Sequence, residues 1–250
     1  MLTSIRGLTA ATLAAFAALS AAPALAQDEE EESGPIEVTA NVAMTSEYRF
    51  RGVDLSGGEL AIQGGVDVAH ESGFYIGTWA SSLDETTVGF GSTELDIYGG
   101  WSGDVTEGVS IDVGAIQYIY PDAGPGDFDY TEFYGSVGFG FGPAEATVGV
   151  AYAPKQDSLG GTDNTYVYAD LGVGLPGTPV SLTGHVGYTD GFLTFTNDSK
   201  AFDWSIGAEA AVPGTPLSLG IAYTGAEGDI PVGAYDFVDD AVVFTLSASF

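Results

Sequence analysis

The sequence contains no cysteine, and only 5 of its 250 residues are lysine or arginine, against 35 aspartates and glutamates and a formal charge of −30 at pH 7. Without cysteine there are no disulfides, so backbone pairing or a buried core must hold the chain. So acidic a balance argues against nucleic acid as a partner, because phosphate contacts need lysine and arginine. Histidine is nearly absent too, with only His70 and His185. No Cys/His metal pattern, phosphate-cradling loop or nucleotide fingerprint accompanies them, so no metal or cofactor is assigned. After the first 26 residues, Gly, Asp or Glu breaks every apolar run well short of the roughly 18 residues that a membrane-crossing helix needs.

What remains is a chain that is 45% hydrophobic, with its acids interleaved among apolar residues rather than set apart. Residues 1–26 carry Arg6, a short Ala-rich apolar run and an Ala24-Leu25-Ala26 end, the pattern of a cleaved secretory signal peptide. Residues 27–35, "QDEEEESGP", read as a self-repelling, disordered acidic leader. From Ile36 to Phe250 the apolar period is two. Twelve strands are expected, at 36–50, 60–71, 73–82, 93–102, 108–119, 129–141, 144–153, 164–175, 180–190, 202–212, 216–225 and 241–250. Glycines within them read as bends in a curved wall.

Connections between these strands alternate. Short ones such as "ESG", "GP" and a twice-used "PGTP" follow the even-numbered strands, and long ones such as "RGVDLSGGE" and "YPDAGPGDFD" follow the odd. That alternation marks an all-β fold, a transmembrane antiparallel up-and-down β-barrel of the outer-membrane type, with tight turns on the periplasmic side. An even strand count would place both termini in the periplasm of a Gram-negative bacterium.

Parity then assigns the faces, because each spanning strand must offer lipid an apolar row. Ile62, Val66 and Val68 form one such row, Trp204, Ile206, Ala208, Ala210 and Val212 another, and Leu217, Leu219, Ile221 and Tyr223 a third. The opposite rows hold the acids, which are costly against hydrocarbon and belong against water. The expected pore-lining set is Glu47, Arg49, Asp67, Glu94, Asp96, Asp112, Glu132, Asp170, Asp203 and Glu209. Tyr48, Phe50, Tyr120, Tyr130, Tyr152, Tyr188, Trp204 and Tyr223 fall near the long loops and read as an interfacial aromatic girdle.

The segments "SEYRFRG" (46–52), "AIQGGVDVAHESGFYIGTWASS" (61–82) and "ELDIYGGWSG" (94–103) resemble the TorF-type porin family of Gram-negative bacteria. The match is close over the first third of the chain and one of pattern thereafter. It implies an outer-membrane barrel and names no solute.

Two functional readings stand side by side. One is a passive porin-like channel for small solutes or ions, weakly cation-selective because a ring of carboxylates concentrates cations. The other is a plugged structural or surface-interaction barrel without conductance, with Tyr98, Tyr134 and an Arg49 network as the occluding groups. Arg49 itself reads either as a wall-stiffening partner of Glu47 or as part of a selectivity constriction, with Arg51 continuing its row into the first loop. An outer-membrane hydrolase ranks below both: Ser181 and Thr183 share a face with His185, but Ser181 lies too far along an extended strand for direct contact, which leaves only a cross-strand partner for a Ser-His-acid site. Acids of the outer loops, among them Asp54, Asp84, Asp122, Asp127 and Asp240, read as solvated charge, with cation bridging to lipopolysaccharide phosphates as the sharper alternative. The chain ends "AVVFTLSASF", with Val242, Phe244, Leu246, Ala248 and Phe250 on one parity. This is expected to be the closing strand, and by resemblance its Phe244, Leu246 and terminal Phe250 are what the outer-membrane assembly machinery recognises.

Overall fold

Strict alternation of apolar and polar side chains suits extended chain, and extended segments joined by short turns pair with their neighbours. The computed structural model describes residues 34–86, 88–124, 128–231 and 235–250. The expected signal peptide, most of the acidic leader and Asp127 lie outside the described residues. Twelve antiparallel strands close a barrel: β1 (Ile36–Thr45), β4 (Ala61–His70), β5 (Phe74–Ser82), β6 (Thr93–Thr106), β7 (Val109–Ile119), β8 (Tyr130–Phe141), β9 (Ala144–Ala153), β10 (Asn164–Gly174), β11 (Val180–Gly191), β12 (Lys200–Ala211), β13 (Leu217–Gly228) and β14 (Ala241–Ser249). Two further strands, β2 (Arg49–Phe50) and β3 (Val53–Asp54), pair only with each other.

Closure comes from β14 on β1, in register from Asn41↔Ser249 to Thr45↔Thr245. Beyond that ladder Ala40 and Phe250 exchange both backbone hydrogen bonds, at 3.0 and 2.9 Å, so the last residue is part of the seam. A sheet with no free edge is one of the few ways to satisfy every backbone group in a bilayer. The outward rows agree with a lipid face: Ile62, Phe74, Ile206 and Phe244 are each more than half exposed, which hydrocarbon favours and water does not. Ala248 shares that parity yet is buried, flanked in register by the larger Val42 and Leu217.

Several boundaries differ from those expected. β6 continues to Thr106 through a bulge near Asp104, leaving a tight turn at Glu107-Gly108, where Gly108 has φ +73°. β13 runs on to Gly228. The largest difference is at β1, which stops at Thr45 instead of reaching residue 50.

On the inner face the glycines have a more specific role than bending. Tyr75, Tyr98, Tyr134 and Tyr168 stand directly across the ladder from Gly100, Gly77, Gly114 and Gly149. A Cβ at Gly77 would stand 2.5 Å from the Tyr98 ring, one at Gly100 would stand 2.7 Å from the Tyr75 hydroxyl, and the other two pairs clash in the same way. Each glycine is therefore a seat on which a facing tyrosine lies against the wall. The hydrophobic core sits inside the half of the barrel nearer the long loops. There the first long loop meets wall residues such as Trp79, Tyr118 and Tyr166 and residues of other long loops such as Leu159, Leu193 and Val238.

Candidate functional site

After Thr45 the chain leaves the wall and folds inward as a hairpin, with β2 and β3 joined by Arg51-Gly52. Both turn residues have positive φ, +53° and +76°, the backbone of a type I′ turn whose twist suits a two-residue hairpin. Glycine takes this conformation freely; arginine pays about 1 kcal/mol or more for it. Below the turn, Leu55 N–H donates to Tyr48 O at 2.9 Å and Tyr48 N–H donates to Ser56 Oγ at 2.8 Å, closing the base. The tip touches the wall at β13 and β12: a Cβ on Gly52 would stand 2.7 Å from Ala226 Cβ and 2.9 Å from Asp203 Cβ. Only glycine fits there.

Side chains of this hairpin reach strands around the bore. The Arg51 guanidinium donates to both carboxylate oxygens of Glu132 on β8, at 2.5 and 3.0 Å. It also lies 4.6 Å from the centre of its neighbour Phe50 and 4.2 Å from that of Tyr166 on β10. A planar cation held by a carboxylate fork and an aromatic face is arginine-specific geometry. Tyr48 O–H donates to Glu94 Oε1 on β6 at 2.8 Å, and Tyr120 O–H donates to Oε2 at 3.2 Å. The Tyr48 ring meets Trp79 on β5 edge-on at 5.6 Å, and Phe50 meets Tyr118 on β7 at 5.8 Å.

The last long loop lies over the hairpin. Arg49 pairs with Glu47 and with Asp239 Oδ1 (2.8 Å), and donates to the carbonyl of Asp239 at 2.8 Å. Burial raises the Glu47 carboxyl above its ordinary range, although Arg49 pulls it the other way. Tyr235 O–H donates to Asp54 Oδ2 at 2.7 Å, and Asp54 N–H donates to Phe237 O at 2.8 Å. Phe90, Phe128, Phe195 and Phe237 from four loops pack ring to ring above. The mouth at the long-loop end is thus covered by a small aromatic core.

The residues expected to line a pore divide along the barrel axis. Glu94, Asp96, Glu132 and Asp203 are buried in the half nearer the long loops, beside the hairpin. Asp67, Asp112, Asp170 and Glu209 lie nearer the short turns, and of these only Asp112 is fully buried. Tyr98 O–H donates to Asp67 at 2.5 Å, and Tyr75 O–H to Asp112 at 2.7 Å. Glu47 and Arg49 need correction: they belong to the inserted hairpin and its base, not to the wall, because the ladder with β14 ends at Thr45. The girdle divides as well. Tyr152, Tyr188 and Tyr223 are exposed on the outside, whereas Tyr48, Phe50, Tyr120 and Tyr130 are buried within. Tyr98 and Tyr134, the candidate occluding groups, lie over Gly77 and Gly114 of the neighbouring strands.

The residue that sequence reasoning undervalued is Arg51. Its signal was the dipeptide Arg-Gly between two apolar-alternating stretches, a hairpin-turn signature with an atypical first residue. His185 gains partners that spacing along its own strand did not reveal. Its Nδ1 lies 2.6 Å from Asp170 Oδ1, and its Nε2 lies 2.9 Å from Asp203 Oδ1 and 2.7 Å from the Tyr166 hydroxyl. Both ring nitrogens face carboxylates, and Ser181 is not among these contacts.

Comparison with known proteins agrees with this architecture. The family described as "Bacterial protein of unknown function (Gcw_chp)" matches residues 29–250, and the chain belongs to it. No curated protein matches the chain in sequence. Among solved structures, the NanC porin aligns with a TM-score of 0.58 at 8% identity, covering 86% of this chain and 99% of that one. The KdgM porin, solved in complex with disordered oligogalacturonate, aligns with a TM-score of 0.56 at 5% identity, covering 85% of this chain and 97% of that one. OccAB2 of Acinetobacter baumannii aligns with a TM-score of 0.50 at 7% identity over 88% of this chain and 65% of that one. The chain has the fold of outer-membrane porins.

Proposed function

We propose that this member of the Gcw_chp family is an outer-membrane channel for small solutes or ions, weakly cation-selective and narrowed from the outside by its first loop. One observation carries the reading. The outer half of the bore is filled by a hairpin held through side-chain contacts, while inward acids toward the short turns, such as Asp67, Asp170 and Glu209, keep access to solvent. A segment attached to the wall by side chains can be withdrawn without opening the barrel ladder. Inward carboxylates favour cations and repel a polyanion such as the oligogalacturonate of the KdgM complex, so that solute class is not carried over.

The same hairpin favours the second reading, a plugged barrel that serves as a structural or surface-interaction protein. Planar-bilayer recordings of wild type and of a variant with residues 48–55 replaced by a short glycine turn separate them. The channel reading expects small cation-preferring currents that grow several-fold in the variant. Anion preference, or silence from both proteins, would sink it.

The remaining assignments belong to the same proposal. Residues 1–26 direct export and 27–35 form the acidic leader. The short turns and both termini face the periplasm. Outer-loop acids meet lipopolysaccharide through divalent cations, and the Phe244, Leu246 and Phe250 row addresses the assembly machinery. Deleting Phe250 should lower the membrane-inserted fraction before it changes conductance, as read by protease protection in outer-membrane preparations.

A further inference from the structure

We propose that the wall pocket formed by Glu132 and Tyr166 is a binding site for guanidinium-bearing solutes, which the first loop occupies with its own Arg51 when the channel is closed. The proposal rests on the channel reading above.

The pocket is built into the barrel rather than into the loop. Glu132 of β8 is 0% exposed and presents both oxygens, and Tyr166 of β10 presents a ring face 4.2 Å from the guanidinium carbon. Tyr118 and Tyr130 stack on each other at 4.4 Å beside it, and their hydroxyls lie within the electrostatic reach of Arg51. A fork of two acceptors beside a ring selects a flat, delocalised cation over a compact ammonium.

Asp96, across the ladder from Tyr118, has its Oδ1 buried with no hydrogen-bond partner among the described residues, an acceptor left open to a further donor. Delivery of Arg51 is strained as well, since its φ of +53° is one that arginine rarely adopts. Withdrawal of the hairpin without a replacement would give up the two-pronged Arg51–Glu132 ion pair, which opposes opening. A solute that brings its own guanidinium removes that opposition, so its binding and the release of the loop become coupled. Tyr168 and Asp170, next along β10 toward the short turns, are partly exposed and give a solvated approach.

The test uses the full mature barrel folded in detergent micelles, with methylguanidinium chloride as probe against potassium chloride and methylammonium chloride at equal concentration. Arg51→Ala empties the pocket. Its urea midpoint should rise saturably with millimolar methylguanidinium, stay unchanged with potassium, and require about tenfold more methylammonium. The rescue should vanish in R51A/E132Q. In wild type, emission from Trp79, which packs on Tyr48 of the hairpin, should respond to methylguanidinium with half-saturation about tenfold or more above that of R51A, because Arg51 competes. Equal effects of all three salts, rescue that survives E132Q, or no saturable effect on either protein would overturn the proposal. Should R51A fail to fold, Arg51→Gln keeps most of the side-chain volume and takes its place. Conductance is read separately, so loss of the channel reading and loss of the pocket are distinguishable.

Discussion

The two halves of this bore are made from the same twelve strands and treat charge in opposite ways. In the half nearer the long loops Glu94, Asp96, Glu132 and Asp203 are buried, and the loop hairpin supplies the partners of two of them, Arg51 for Glu132 and Tyr48 for Glu94. Toward the short turns the inward residues are small or acidic, tyrosines lie on glycine seats, and Glu145 is exposed. Carboxylates alone do not make a lumen: where water reaches them they shape a potential, and where a loop covers them they become latches. A barrel's strand count therefore says less about its passage than what its first loop finds to hold.

Acid substitutions in the two halves should break this symmetry most sharply. Glu132→Ala strands Arg51 in a buried site and should cost about 3–5 kcal/mol of folding free energy. Glu145→Gln, at an exposed position, should stay within about 0.5 kcal/mol. Urea unfolding in micelles reads both, and similar losses would erase the distinction between the halves. Next in size, Gly114→Val removes the seat of Tyr134 and should cost about 1–3 kcal/mol by overpacking. It should also reduce any current by pushing the ring into the bore, whereas unchanged stability and current would mean that the seats are incidental. The smallest expected effect is at Glu47. Its folded-state pKa is raised, so the folded state disfavours its charged form. Relative to Glu47→Gln, wild type should lose a little stability as pH rises from below the unfolded value through the folded one. Urea midpoints across the acid range would check the sign, and a gain instead would mean that the Arg49 pairing outweighs burial.

Much of the fold was legible because its signal is local. An apolar row such as Val242, Phe244 and Leu246 is read from one strand, and turn length is read from one connection. The acids of the wall were legible for the same reason. The hairpin was not, because "EYRFRG" alternates equally well as the end of a wall strand or as a plug inside the bore. In both places one face meets apolar surface and the other meets polar groups. Tyrosine seats were hidden as well, since Tyr134 finds Gly114 only through the register of β7 and β8.

Sequence alone determined that this chain builds two-faced strands, how many there are, that they close, and which row meets lipid; each follows from period-two alternation and turn chemistry within a dozen residues. Tertiary structure decided what the acids do. Arg51 and Glu132 stand 81 residues apart along the chain, and only the barrel's curvature and the inward turn at Ser46 bring a guanidinium to that carboxylate. Parity can point a side chain toward the lumen, but only the fold determines what is already there.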